Sequence, residues 1–210
     1  MRLGSAAAVA LVTASYLATA TADPAQAAAL ATEAEARAAA GDFVGAAGRF
    51  RAAYAADPQP YMLCNVGVAF RRADDLPRAQ LYLAQCLGRV TDPKFPASWR
   101  AVLTETEALL AAGDFAPVDV TPTPPTAIVT VSTFDPDDTI IGARLVWLPL
   151  GVHTLRASAD GHVAADVAIE LRARAPRAVR IDLERTPTVE PERAAAPRIL
   201  SNTRYDSADV

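Results

Sequence analysis

Apolar residues recur at helical spacing through the first half of the chain. They return every three or four residues, which is the period that buries one face of a helix. Gly41-Asp42 and Asp74-Asp75 interrupt the pattern, and such pairs are typical of turns. The spacing therefore predicts two helical hairpins and one further helix, with helical runs over residues 27–40, 43–56, 61–73, 76–90 and 98–112.

The second half alternates apolar and polar residues with the period of two that is typical of strands. The clearest case has Val167 and Leu171 on one face, and Asp166 and Glu170 on the other. Strands are predicted over residues 126–133, 143–149, 152–159, 163–172 and 178–185. Short strands between turns, without helices, predict a small antiparallel β-sandwich or barrel. The fold class predicted for the chain is α+β, with helical hairpin repeats followed by this β module.

Composition separates the two halves. Residues 116–125 contain four prolines, which lack the backbone N–H that strand pairing uses, and they are interpreted as a Pro/Thr-rich linker. The tail over residues 186–210 has neither period and carries three more prolines, so we expect disorder. The predicted organisation is a signal peptide over 1–22, helical repeats over 27–115, the linker over 116–125, a β domain over 126–185 and the tail over 186–210.

The first 22 residues have the order of a secretory signal. Arg2 precedes an apolar run of Ala, Val and Leu, and Ala20-Thr21-Ala22 supplies the small residues of a cleavage site. The apolar run is short for a membrane span, which needs about 20 residues. We expect cleavage after Ala22 and export, to the periplasm if the cell has an outer membrane, with no membrane span afterwards. Retention of the segment as an anchor is the alternative.

The helical hairpins resemble the tetratricopeptide repeat, a unit of about 34 residues built from two helices. The matching small, aromatic, bulky and proline positions are Phe43, Ala46, Phe50, Ala53 and Pro58 in the first unit, and Gly67, Phe70, Ala79, Leu83 and Cys86 in the second. Ala34 and Arg37 replace the usual glycine and tyrosine of the first unit, and Asp74 replaces the turn glycine of the second. The resemblance implies about two and a half units, the helix over 98–112 being half of a third.

A stack this short has an unburied end. Repeat units bury their apolar faces only against neighbours, and about three units are usually needed for stability. We therefore expect the missing cover to come from the third helix, from the β module or from another chain.

The β module resembles the PEGA domain, a small noncatalytic module of envelope and surface proteins that often accompanies tetratricopeptide repeats. The resemblance lies in residues 147–162, WLPLGVHTLRASADGH, which give a strand, a Pro/Gly turn, a second strand and a final Gly-His pair. The usual early Asp-Gly turn and Thr-Pro pair are replaced by the longer STFDPDDTIIGA over 132–143. Together with the signal and the repeats, the resemblance implies an exported bacterial envelope protein.

Charge and residue chemistry exclude several classes of function. A net charge of −4 and a single lysine, Lys94, do not suit a nucleic-acid binder. The two histidines, His153 and His162, lack a Cys or carboxylate at ligand spacing, so we interpret both as structural. The acidic loop with Asp135, Asp137 and Asp138 lacks the pattern of a calcium loop, and we expect a solvent-exposed turn. No phosphate loop or nucleophile elbow is present, so we expect no enzyme, metal or cofactor.

The two cysteines, Cys64 and Cys86, fall in opposite helices of the second hairpin. In an antiparallel hairpin these positions come level, and an oxidising compartment allows a disulfide between them. The alternative is two small apolar residues buried in the core, because both positions suit it. The sequence leaves both open.

The repeat resemblance implies a partner-binding groove lined by the first helix of each unit. Carried over by position, the residues facing it are Tyr61, Cys64, Asn65, Val68, Arg71 and Arg72. Asn65 and Arg72 are suited to bind a peptide backbone or a carboxylate. The alternative is that the arginines form a solvated face and that Asn65 serves helix packing.

Two functions remain. The first is a noncatalytic envelope adaptor that binds a protein or peptide through the repeats and docks through the β module. The second is a carbohydrate or peptidoglycan reader that uses Trp147 as an exposed stacking platform. An enzyme of unrecognised type is a third and weaker hypothesis.

Overall fold

Five helices and seven strands make up the part of the chain that the computed structural model describes, residues 22–90 and 97–187. The predicted signal peptide, up to residue 21, and the predicted disordered tail from residue 188 lie outside these residues. The helices come first and the strands follow. This order confirms the α+β fold class predicted from the sequence.

The helices form the two predicted hairpins and the additional helix. They are α1 (Pro24–Ala39), α2 (Phe43–Ala56), α3 (Pro60–Arg72), α4 (Leu76–Leu87) and α5 (Ala97–Ala112). Within the hairpins α1 packs against α2 and α3 against α4, and α2 also packs against α3. Small side chains at these contacts, among them Ala34, Ala46 and Ala79, are fully buried, so the helix backbones approach closely.

The same turn joins the helices in both hairpins. In each, an aspartate caps the second helix: Asp42 accepts a hydrogen bond from Gly45 N–H, and Asp75 accepts one from Arg78 N–H. The residue before the cap has a positive φ, 83° at Gly41 and 60° at Asp74. Aspartate tolerates this left-handed conformation better than most residues with a side chain, which explains how Asp74 can take the place that Gly41 has in the first hairpin.

Seven strands follow the helices, two more than the sequence predicted. They are β1 (Phe115–Thr123), β2 (Ile128–Val131), β3 (Ile140–Ile141), β4 (Arg144–Pro149), β5 (Gly151–Ser158), β6 (Ala165–Leu171) and β7 (Arg177–Asp182). Five of them fall within or overlap the predicted strands, whereas β1 and β3 were not predicted.

The predicted linker over residues 116–125 is wrong for most of its length, because it forms β1. This strand lies at the centre of a three-stranded sheet with the order β4-β1-β7. Pro117 lies where β1 pairs with β4 alone, and Pro122 lies where β1 pairs with β7 alone. A proline is tolerated where one neighbour is absent, since its missing N–H then breaks no ladder.

The two sheets are mostly antiparallel. The second sheet has the order β3-β2-β5-β6, and all its pairs are antiparallel. In the first sheet β1 runs antiparallel to β4 but parallel to β7, so the predicted all-antiparallel module is corrected at this pair. The inward-facing side chains of both sheets belong to one buried cluster, which includes Val118, Val129, Val146, Leu155 and Ile181.

The β module covers one side of the helical stack. Helix α4 packs against β4 as well as against α3 and α5, and Gln85 Nε2 on α4 donates a hydrogen bond of 3.0 Å to Thr139 O. Helix α5 also contacts β1. The module therefore covers the side formed by α2 and α4, while α5, which packs on α4 and α3, covers the end of the second hairpin. These are two of the three sources of cover expected from the sequence.

Candidate functional site

One face of α3 carries most of the predicted groove residues. Tyr61, Asn65, Val68 and Arg72 follow one another at intervals of four, three and four residues, which places them on one stripe of the helix. Asn65 and Val68 are half-buried, and Arg72 is exposed. The stripe is thus accessible to solvent along its length.

A cleft of about 330 Å³ lies between α1 and this stripe. It is lined by Asn65, Val68 and Arg72 from α3, and by Glu35 and Ala38 from α1. The small side chain of Ala38 leaves room between the two helices. The Arg72 guanidinium also lies over the Phe43 ring, 5.7 Å from its centroid, which orients the arginine at the edge of the cleft.

A second cleft of about 510 Å³ lies on the other side of α3. Arg71 and Arg72 line it together with Val102 and Glu105 of α5. Val68 and Arg72 border both clefts, so together they form one groove that crosses α3 from α1 to α5. We call this surface the α3 groove. The structure therefore brings together Asn65, Val68, Arg71 and Arg72 on α3, the first helix of the second hairpin.

The charged groups of the α3 groove are unpaired within the described residues. Neither Arg71 nor Arg72 forms an ion pair there, and neither do Glu35 and Glu105 at its two ends. The two neighbouring guanidiniums at the centre are flanked by Glu35 on the α1 side and by Asp74 and Glu105 on the α5 side, which gives an uneven charge pattern. Such a pattern favours a partner whose acidic groups meet the centre of the groove.

Two of the predicted groove residues do not line the clefts. Tyr61 is 45% exposed at the beginning of α3 and borders neither cleft. Cys64 is fully buried and lines neither cleft, so it presents no surface to the groove, contrary to the prediction. The α1 and α5 sides, represented by Glu35 and Glu105, were not predicted, because the spacing along α3 does not show which residues of its neighbours face it.

Cys64 serves a different purpose. Its Sγ is bonded to that of Cys86, and the two Cα atoms are 5.3 Å apart. The disulfide joins α3 to α4 inside the second hairpin, where both cysteines are fully buried. The cross-link therefore fixes the helix that carries the groove residues.

A buried carboxylate holds the β module to the helices. Asp138 is 0% exposed and accepts hydrogen bonds of 2.6 Å from both Arg51 Nη1 on α2 and Tyr82 OH on α4. Its other oxygen accepts a bond from the backbone N–H of Asp135. Burial, followed by the bond to Asp138, raises the pKa of the Tyr82 phenol, which keeps this hydroxyl a donor.

Asp135 extends the same network. Its carboxylate lies 2.6 Å from Arg78 Nη1, and Arg78 also pairs with Asp75 at 2.7 Å. The Arg78 guanidinium lies 4.7 Å from the centre of the Phe70 ring. The prediction that the acidic loop is a solvent-exposed turn is therefore wrong for Asp138, and the loop is a dock between the module and α2 and α4.

Both histidines lie within hydrogen-bond distance of a nearby backbone carbonyl oxygen. His153 is 2% exposed within the sandwich, and its Nε2 donates to Pro149 O at 2.7 Å. The exposed His162 lies 2.8 Å, through Nδ1, from Asp160 O. Among the described residues no group of three or more His, Cys, Asp or Glu side chains is placed to hold a metal. None of the helices in that part of the chain has the length and apolar character to cross a membrane.

Trp147 is not an exposed platform. It is half-buried on β4, opposite Pro117 of β1. Its indole Nε1 is buried and has no hydrogen-bond partner. A sugar-stacking aromatic needs an open ring face, so this placement gives the carbohydrate hypothesis no support.

The comparisons with known proteins give no further identification. No protein-family model and no curated protein matches the chain.

Proposed function

We propose that this chain is a noncatalytic adaptor of the cell envelope that binds a protein partner through the α3 groove. The observation that carries the proposal is the continuous groove across α1, α3 and α5, with Arg71 and Arg72 at its centre and without an ion pair to any described residue. An extended peptide with acidic side chains fits this shape and charge, because each free guanidinium can bind a carboxylate through two parallel hydrogen bonds.

The rest of the molecule supports a presenting role. The disulfide and the Asp138 network fix α3 and the β module to one framework. A groove on a rigid framework loses less conformational entropy when a partner binds. The β module then holds the bound partner in a set orientation towards a second contact in the envelope.

Export of the chain is part of the same proposal. A cut after Ala22 leaves α1 whole, because Asp23 caps that helix by accepting a bond from Gln26 N–H. The backbone N–H of Asp23 also binds Ala56 O at the end of α2, at 2.8 Å. The oxidising envelope is a compartment in which the Cys64–Cys86 disulfide persists.

Photo-crosslinking in intact cells tests the groove directly. Benzoylphenylalanine replaces Tyr61, which is exposed beside the groove, or Val152, which is 71% exposed on the far sheet. We expect a discrete partner band from position 61 that is absent from position 152.

Matched variants then test whether the groove side chains bind the partner. Asn65→Ala combined with Arg72→Ala is expected to abolish the band from position 61, whereas Arg180→Ala, an exposed and unpaired arginine on β7, is expected to leave it. A band that survives the double variant contradicts binding through the α3 groove.

A further inference from the structure

A second cavity lies on the opposite side of the helices, where they meet the β module. It has a volume of about 400 Å³. Its apolar lining comes from Ala52 and Ala55 of α2, Leu63 of α3 and Ile141 of β3. Cavities at the junction of two folded parts, with an apolar lining and a few polar groups, are the usual places for small ligands. We call it the junction cavity.

The polar lining includes an arginine that forms no ion pair with the described part of the chain. Arg89, just after α4, lines the junction cavity and is exposed. Its Nη1 donates to Gln85 O at 3.0 Å, and it forms no ion pair with the described residues. Most of its donors are therefore free to bind a ligand.

A second guanidinium lies near Arg89. Arg144, on β4 three residues after the cavity residue Ile141, is half-buried, and its Nε is buried without a hydrogen-bond partner. Burial, followed by the charge of Arg89, lowers the pKa of Arg144. Two like charges repel each other, and an anion bound at Arg89 reduces that repulsion.

The other charged groups of the cavity restrict where an anion can bind. Arg51 also lines it, but its charge is neutralised by Asp138. Asp137, an exposed lining residue, repels an anion near its own carboxylate. The favourable place for a negative group is consequently the Arg89 side.

We propose that the junction cavity binds a small soluble amphipathic anion, whose apolar body contacts Ala52, Ala55 and Leu63 and whose acidic head is bound by Arg89. This site is distinct from the α3 groove and does not depend on partner binding there. A ligand in this position contacts both the helices and the β module, so its occupancy also stabilises their junction.

Two fluorescent probes that differ in one group test the proposal. 8-Anilinonaphthalene-1-sulfonate has an apolar body and an anionic head, and N-phenyl-1-naphthylamine has the same body without the head. With the folded wild-type chain, we expect saturable binding of the sulfonate. Arg89→Ala should weaken that binding about tenfold, the value of one charge-assisted hydrogen bond, and leave the neutral probe unchanged.

Two variants and two competing ligands test the site further. Ala55→Trp fills the cavity from an exposed position and should abolish binding of both probes, whereas Arg180→Ala should change neither. Octanoate should displace the sulfonate; displacement only by vesicles containing phosphatidylglycerol contradicts a soluble ligand. Equal sulfonate affinity in wild type, Arg89→Ala and Ala55→Trp overturns the proposal, and circular dichroism of each variant shows that its fold is intact.

Discussion

Glycine 67 shows how a single residue sets the distance between two helices. A Cβ at Gly67 would lie 2.6 Å from Leu83 Cγ and 2.9 Å from the backbone N of the same residue. Real carbon atoms do not approach so closely, and the backbone contact cannot be relieved by a side-chain rotation. The close packing of α3 on α4 therefore requires a residue without a side chain at this position.

Gly67→Ala is expected to destabilise the fold by about 1–3 kcal/mol, the usual penalty for overpacking a core. Gly48→Ala is the matched control, because a Cβ there meets nothing within 4 Å and alanine favours a helix interior by up to about 1 kcal/mol. Urea unfolding of both variants measures the difference. Similar stabilities of the two would show that α3 and α4 are not in close contact at Gly67.

The stability of the first hairpin depends on pH through Asp42. The hydrogen bond from Arg37, then that from Gly45 N–H, lowers the pKa of Asp42 below 3.8. A carboxyl whose pKa is lower in the folded state stabilises the fold above its unfolded pKa and loses that contribution as the pH falls through the folded value. The contribution is therefore present at neutral pH and lost in acid.

Asp42→Asn is expected to reduce the loss of thermal stability between about pH 5 and about pH 2. Asparagine caps a helix as well as aspartate does, so the variant removes the titration and keeps the cap. Asp182→Asn, at an exposed position without an ion pair, is the control. Thermal unfolding curves that shift with pH equally in Asp42→Asn and wild type would exclude this coupling.

At the scale of elements, the disulfide acts on the second hairpin. Cys64 and Cys86 are separated by 22 residues, and closing a loop of this size lowers the entropy of the unfolded chain by the equivalent of about 3 kcal/mol. We expect Cys64→Ser with Cys86→Ser to unfold at correspondingly lower urea concentration. Alkylation of the unfolded wild type should add mass only after reduction; alkylation without reduction would show free thiols.

The sequence predicted the helices well because each has its own period and its own ends. The Asp42 and Asp75 turns are recognisable from composition, and α3 carries apolar residues at helical spacing regardless of what it packs against. The strands β4 to β7 were equally recognisable from their alternation. In these segments local preference and tertiary packing agree.

The strand β1 could not be predicted from the same signals. Pro117 and Pro122 argue against a central strand unless the exact extent of each neighbouring strand is known, and that depends on the register with β4 and β7. The repeated AGDF at 40–43 and 112–115 adds to the difficulty. It begins helix α2 in the first case and strand β1 in the second, because Pro117 and the β-branched residues that follow favour an extended chain.

The sequence predicted the site residues that lie on α3, but not those that α1 and α5 contribute. Helical spacing identifies Asn65, Val68 and Arg72 as one stripe, but it does not show which residues of α1 and α5 face them. The dock at Asp138 was missed for a similar reason: its partner Arg51 lies 87 residues away. The sequence of a short acidic loop indicates a solvent-exposed turn unless its distant basic partners are known.

At the scale of the whole molecule, the β module packs along one side of the helical stack. The module contacts α4 through β4, through the Gln85 bond to Thr139, and through the Asp138 network to both α2 and α4. One side of the stack is thereby covered, while the side with the α3 groove stays open. The two parts should therefore unfold together.

Asp138→Asn tests that coupling. The change keeps the shape of the side chain and removes its charge, which leaves the Arg51 guanidinium without its closest acid. Removing one partner of a buried ion pair costs about 3–5 kcal/mol, and we expect about 3 because the Arg51 side chain retains 22% exposure. Calorimetry should show one transition in wild type, and a lowered, broadened or divided transition in the variant.

Asp137→Asn supplies the matched control one residue away. Asp137 is exposed and forms no ion pair with the described residues, so its replacement changes net charge equally without touching the dock. If the two variants unfold alike, the Asp138 network does not hold the module to the helices. A selective effect of Asp138→Asn, with the α3 groove crosslink from position 61 also weakened, would show that the dock both unites the two parts and keeps the groove in its binding geometry.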